Sequence, residues 1–164
     1  MNATHHSLQR RIDTPLGPLT AARSAAGLSG LWFDGQKHHP GPLQVPLDDG
    51  SDPVLSATAA ALAAYFAGQP FTLPPLDPAG TAFQRAVWRE LLAITPGHPA
   101  TYGALAQRLG HAGAARALGA AVGRNPISVL VPCHRVVGAD GTLTGYAGGL
   151  DRKRALLALE GAAA

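Results

Sequence analysis

Cys133 is the only cysteine in a chain of 164 residues, and it lies in the run Pro132-Cys133-His134-Arg135-Val136-Val137. A thiol beside an imidazole and a guanidinium is a candidate nucleophile, because a basic or cationic neighbourhood favours the thiolate, the species that attacks. The alternative is a small buried hydrophobe, the commoner fate of a free cysteine. Neighbouring side chains on a strand point to opposite faces, so Cys133 and His134 cooperate only if the chain turns at Pro132 or a water joins them. A single cysteine excludes an internal disulfide and any zinc site that needs two or more thiolates.

A second pattern lies upstream, in Ala114-Ala115-Arg116-Ala117-Leu118-Gly119-Ala120-Ala121. A helix that reads base edges in the major groove presents Arg, Asn, Gln or Glu. This one offers Arg116 alone. Small residues such as Ala115, Ala117 and Gly119 instead let a helix backbone come close, which suits the minor groove, where binding follows shape and phosphate. In that geometry Arg116 is a candidate wedge, able to enter the base stack where a nucleotide has been extruded. The competing reading is an alanine-rich helix packed inside its own domain. Charge supports a polyanionic partner: residues 1–80 carry 4 basic and 6 acidic side chains, residues 81–164 carry 9 and 4. Between 81 and 135 six arginines face Glu90 alone, a footprint suited to nucleic acid or simply a solvated basic face.

These residues need elements to hold them. Turn chemistry at Thr14-Pro15-Leu16-Gly17-Pro18 and at Ala26-Gly27 separates strand-like runs between Arg11 and Phe33, which predicts a small antiparallel meander after a frayed start over residues 1–7. Asp34 to Gly50 reads as loop. Ser51-Asp52-Pro53 caps a helix that runs through Leu55, Leu62, Ala63 and Phe66 to Gly68 and covers the meander. Pro70, Pro74, Pro75 and Pro78 stiffen an extended crossing, so the domain boundary is placed at residue 80. Thr81 then caps a helix with Phe83, Val87, Leu91 and Ile94 on one face, ending at Pro96-Gly97, with Phe83 and Trp88 in the core. Thr101 caps a helix bearing Tyr102, Leu105 and Leu109, and His111-Ala112-Gly113 turns into the alanine-rich helix, giving a helix-turn-helix. Asn125-Pro126 ends it. An apolar run at 129–131, a hairpin signal at Asp140-Gly141 and a last helix from Asp151 to Glu160 complete the chain. The fold class is α+β: an N-terminal antiparallel sheet with a covering helix over 1–80, and a mainly helical domain over 81–164 with the helix-turn-helix.

The first twenty residues lack the apolar run of a signal peptide, and no apolar stretch of membrane-spanning length occurs, so the expectation is a cytoplasmic protein with no membrane partner.

Taken together, Pro132-Cys133-His134-Arg135-Val136-Val137, Asn125-Pro126 and Gly145-Tyr146-Ala147-Gly148-Gly149-Leu150 resemble the O6-alkylguanine-DNA alkyltransferase family. The likeness spans about residues 81–161 and includes Phe83-Gln84, Val87-Trp88, Thr101-Tyr102-Gly103, Ala115-Arg116-Ala117 and the closing Leu156-Leu157-Ala158-Leu159-Glu160-Gly161. An ordered set of this size is specific where any single tripeptide is weak. The resemblance implies that Cys133 accepts an alkyl group through a network in which His134 acts by way of a water and Glu160 orients and polarises the set. It implies that Tyr102 assists nucleotide flipping and donates a proton toward the leaving guanine, that Arg116 intercalates, and that Asn125 ties the recognition helix to the active segment. Tyr146, Ala147, Gly148 and Gly149 match the wall of the pocket for the flipped base, where glycine allows close approach. Ala147 lacks the hydroxyl that some relatives carry there, so contact with the lesion oxygen falls to backbone N–H.

The implied substrate is O6-alkylguanine, with O4-alkylthymine beside it, in double-stranded DNA. No cofactor and no metal are implied. A monomer is expected, with assembly along DNA left open. The other classes to separate are a non-catalytic lesion-binding relative, which lacks the acceptor cysteine, a cysteine hydrolase, and a helix-turn-helix regulator.

Overall fold

The computed structural model describes residues 5–110 and 113–162. The fold is α+β, in two compact units: the chain up to Ala79 together with Pro126–Leu130, and Gly80–Asn125 together with Val131 onward. The sequence assigns everything after residue 80 to the second domain. Segment 126–130 departs from that because its backbone joins the sheet of the first unit: Leu31 N–H donates to Pro126 O at 2.8 Å and Ser128 N–H to Leu31 O at 2.9 Å.

In the first unit β1 (Leu8–Ile12), β2 (Leu19–Arg23) and β3 (Leu28–Phe33) form an antiparallel sheet in the order β1-β2-β3. The turn between β1 and β2 closes with Gly17 N–H on Thr14 O at 3.0 Å. All of β3 is buried. Its free edge, and that of β1, would leave backbone groups unpaired; single parallel bridges from Leu76 and Ile127 to β3, and from Leu47 to β1, cover them. Helix α1 (Pro53–Phe66) begins as the sequence predicts, with Asp52 accepting from Leu55 N–H and Pro at the first turn. It packs on all three strands. Its buried stripe is Val54, Leu55, Thr58, Ala61, Leu62 and Tyr65; Ala63, one of the residues that mark the helix in the sequence, is exposed, because it falls on the side of the helix away from that stripe. Of the predicted frayed start over residues 1–7, the first four lie outside the described residues; over 5–7 the prediction is corrected. His6 is buried, its Nδ1 2.7 Å from Ser29 Oγ and its ring edge-on to Trp32 at 5.4 Å.

In the second unit Thr81 and Gln84 form a capping box at the start of α2 (Ala82–Leu91), which stops short of Pro96 and continues to Ile94 only as turns. Val87, Trp88, Leu91 and Ile94 are buried, while Phe83 is half-buried. Thr101 caps α3 (Tyr102–Arg108), and α4 (Ala115–Gly123) packs against both α2 and α3. The Trp88 indole N–H donates to Ala121 O at 2.8 Å, pinning α4 to α2. Of the predicted turn at His111-Ala112-Gly113, the first two residues lie outside the described residues. After a 3-10 turn at Cys133–Arg135, β5 (Val136–Val137) pairs in parallel with β4 (Ala100–Thr101). The Asp140-Gly141 signal yields a tight turn, with Gly138 N–H donating to Thr142 O at 2.9 Å, but among the described residues no antiparallel partner strand follows it. Helix α5 (Leu150–Leu159) closes the unit, packing Leu157 against Val137 and Leu143. Among the described residues no helix is long and apolar enough to cross a membrane.

Candidate active site

The nucleophile question turns on backbone geometry next to Cys133. Leu130 N–H donates to Ser128 O at 2.8 Å around Val129, whose φ is 70°. This is a γ-turn of the strained kind, in a β-branched residue that rarely adopts positive φ. Three residues later Cys133 N–H donates to Val131 O at 2.8 Å around Pro132, at φ −84° and ψ 64°, the relaxed inverse γ-turn. The chain therefore does turn at Pro132. Cys133 and His134 follow on one tight helical turn instead of on opposite faces of a strand, and both are buried.

Asn125 holds this turn from outside. Just beyond α4, its amide donates to Val131 O at 2.8 Å and its side chain also hydrogen-bonds Cys133, in the sense that favours the thiolate. Glu160, at the end of α5, is the hub on the other side. His134 Nε2 lies 2.7 Å from Glu160 Oε2, and Arg135 grips both carboxylate oxygens at 2.8 and 3.0 Å while donating to Ile94 O at 2.8 Å. A carboxylate accepts only, so Nε2 carries the hydrogen and Nδ1 is left as a lone pair. Nδ1 is buried and has no hydrogen-bond partner among the described residues.

Burial dominates the electrostatics of the turn. It pushes the Cys133 thiol up, against the pull of Asn125, Lys153 and the residue's own backbone N–H. It pushes His134 down; Glu160 opposes this, and Arg135 and Lys153 reinforce it. The resting pair is thus a neutral thiol beside a neutral imidazole with a free acceptor nitrogen, an arrangement suited to general-base activation.

The remaining pocket residues arrive on the loop before α5. The Tyr146 ring stands edge-on to His134, with centroids 6.4 Å apart. Gly149 N–H donates to Tyr146 O at 2.9 Å, closing a turn over the half-buried Ala147 and the buried Gly148. Gly149 has φ 94°, a backbone conformation that L side chains rarely adopt, so glycine is required there by conformation as well. The Tyr102 hydroxyl accepts from Thr144 Oγ1 of the same loop at 3.4 Å.

Two family models cover most of the chain: the DNA binding domain of 6-O-methylguanine DNA methyltransferase matches residues 82–162, and the ribonuclease-like domain of the same family matches residues 8–78. The chain belongs to the 6-O-methylguanine DNA methyltransferase family. It is 47% identical over 152 residues to the methylated-DNA–protein-cysteine methyltransferase of Mycobacterium tuberculosis strain H37Rv, covering 92% of this chain and 90% of that one. It is 42% identical over 149 residues to the Haemophilus influenzae protein of the same name, covering 90% and 82%. Among solved structures, Mycobacterium tuberculosis OGT in complex with DNA superposes with a TM-score of 0.85 at 46% identity, covering 94% of this chain and 92% of that one.

Within this family fold, the residues expected to act together fall into two groups. Cys133, His134, Glu160, Asn125 and Tyr146 converge, and Tyr102 joins through Thr144. Arg116, Ala115 and Ala117 instead lie exposed on α4, with Gly119 half-buried beside them. Asn125, just beyond the end of the same helix, links them to the first group through its hydrogen bonds to Val131 O and Cys133.

Sequence reasoning missed one participant and misassigned another. Arg135, read as the cation that favours the thiolate, is engaged by Glu160; the cation that acts on Cys133 is Lys153. The signal was present: Lys153 stands three and four residues before Leu156 and Leu157, on the apolar stripe of α5, where a lysine has no solvent to reach.

Proposed function

We propose that Cys133 removes the alkyl group from O6-alkylguanine, and from O4-alkylthymine, in double-stranded DNA and keeps it as a thioether. That the protein is a DNA-repair methyltransferase whose acceptor is a cysteine follows from its family and from its single cysteine. The proposal concerns which side chains carry each step. His134, neutral and fixed by Glu160, draws the thiol proton through a water to Nδ1. The sulfur then attacks the saturated carbon, the S–C bond forms as the C–O bond breaks, and the bonding pair passes to the base, which takes a proton from Tyr102. The Tyr102 phenolate regains a proton from the His134 imidazolium by way of solvent, so that over the whole reaction the thiol proton ends on the repaired base, which stays in the DNA. A thioether has no carbonyl for water to attack, so each molecule acts once.

The lesion reaches the sulfur by leaving the duplex, at a cost of a few kcal/mol that is least for a damaged pair. The exposed Ala115-Arg116-Ala117 face of α4, with Gly119, supports binding in the minor groove, with Arg116 filling the space left behind. Tyr146, Ala147, Gly148 and Gly149 form the wall against which the extruded base rests.

The observation that carries this reading is the burial of the sole thiol on one turn with a neutral histidine whose far nitrogen is fixed by Glu160. Mass spectrometry after mixing with methylated duplex tests it. The expected result is one methyl group, on Cys133, per repaired lesion. Repair of several lesions per molecule, or lesion binding with an unmodified thiol, overturns it.

A further inference from the structure

Lys153 is fully buried in the middle of α5. Its ammonium donates to Val136 O at 2.7 Å and to Thr144 O at 2.9 Å, so it ties the strand that leaves the nucleophilic turn to the loop that carries Tyr146. Carbonyls solvate an ammonium but do not neutralise it, and buried charges are ordinarily paired. Among the described residues Lys153 forms no ion pair. The titratable groups coupled to it are Cys133 and His134 on the turn, and the same turn carries Arg135, paired with Glu160 at the end of the Lys153 helix. Glu160 is already taken by Arg135 and His134, and His134 is held neutral. With Cys133 as a thiol, this buried group therefore carries two positive charges and one negative. Ionising Cys133 brings it to neutrality.

We propose that Lys153 is a positioning residue for alkyl transfer: its buried ammonium is the counter-charge of the Cys133 thiolate, and its two carbonyl contacts hold the Tyr146 loop in register with the nucleophilic turn. The mutual coupling of the two groups agrees with this, since Lys153 pulls the thiol down and Cys133 pulls the ammonium up, each against burial. The inference rests on Cys133 being the acceptor. Lys153 touches no reacting atom; it sets how readily the sulfur gives up its proton.

The test uses the full chain and no DNA. The rate at which Cys133 reacts with methyl methanethiosulfonate, a small neutral thiol reagent, is followed against pH in the wild type, Lys153→Met and Lys153→Arg. Lys153→Met should move the midpoint up by at least about one pH unit, roughly tenfold in rate near neutrality, and Lys153→Arg should restore most of the shift. An unmoved midpoint in Lys153→Met overturns the proposal. Should that variant fail to fold, the isosteric pair Cys133→Asp and Cys133→Asn decides in the Lys153 background. The carboxylate should melt higher than the amide at pH 8, and an equal or lower melting temperature overturns the counter-charge. Because neither arm involves methylated DNA, this inference and the acceptor role of Cys133 can fail separately.

Discussion

The nucleophilic turn and the outer face of α4 belong to one unit of the fold and are linked by Asn125, yet they are built on opposite principles. The turn withdraws Cys133, His134, Arg135 and Lys153 from water and fixes each against a neighbour before any substrate arrives. The α4 face leaves Arg116 exposed between alanines. Chemistry at a sulfur gains from a dry, pre-ordered field, because electrostatic effects weaken steeply in water. A grip on a polyanion gains from an accessible cation and from small neighbours that let the backbone come close. Substitutions in the two regions should therefore fail differently: in the turn through folding and reactivity together, on α4 through duplex recognition alone.

Glu160→Gln probes the contrast most strongly. It leaves the Arg135 charge buried without its carboxylate, and removing one partner of a buried pair costs about 3–5 kcal/mol. Urea unfolding should show that loss along with slow methyl transfer; a fully stable variant with slow transfer would mean that the Arg135 grip contributes nothing to the fold. Arg116→Ala is the counterpart on α4. It should leave the melting temperature unchanged and weaken repair of duplex lesions by about tenfold or more, in line with about 1–3 kcal/mol per stacked base. Reaction with free O6-methylguanine should be spared, and equal losses on both substrates would remove the wedge role.

Methylation of Cys133 sharpens the comparison from the product side. An extra methyl group in a packed turn held by Asn125 should cost about 1–3 kcal/mol by overpacking. Differential scanning calorimetry of the methylated and unmethylated protein measures this, and identical melting temperatures would show a turn loose enough to absorb the group. The smallest effect is in the pH dependence. His134 is held below its ordinary value near 6.5 by burial, so the folded state binds fewer protons than the unfolded one in the window beneath that value. Stability therefore rises with pH across this window and falls on acidification below it. Buried His6 in the first unit contributes with the same sign. Unfolding midpoints at pH 7.5 and 5.5 should differ in the wild type and differ less in His134→Gln; an unchanged difference would place the whole effect at His6.

The elements of the fold were largely legible. Asp52-Pro53, Thr81 with Gln84, and Thr101 fix three helix starts by side-chain capping, which is local chemistry that a linear reading can follow. Segment 126–130 was not legible. Its place beside β3 depends on backbone hydrogen bonds between residues almost a hundred positions apart, and nothing in Ile127-Ser128-Val129 names that partner. The Asp140-Gly141 signal formed its turn, but a local turn does not make the segments on either side of it pair as strands.

At the site, the thiol, the imidazole and Arg116 as a candidate wedge were singled out by residue type and order, whereas Glu160 was named through the family resemblance, since a carboxylate at a helix end carries no signal of its own. Which cation belongs to which anion was not legible. Arg135 is two residues from Cys133 in sequence and serves Glu160, whereas Lys153 is twenty residues away and couples to the thiol. Sequence order fixes what a side chain can do. The pairing of buried charges is settled by distance and desolvation, which exist only once the chain has closed upon itself.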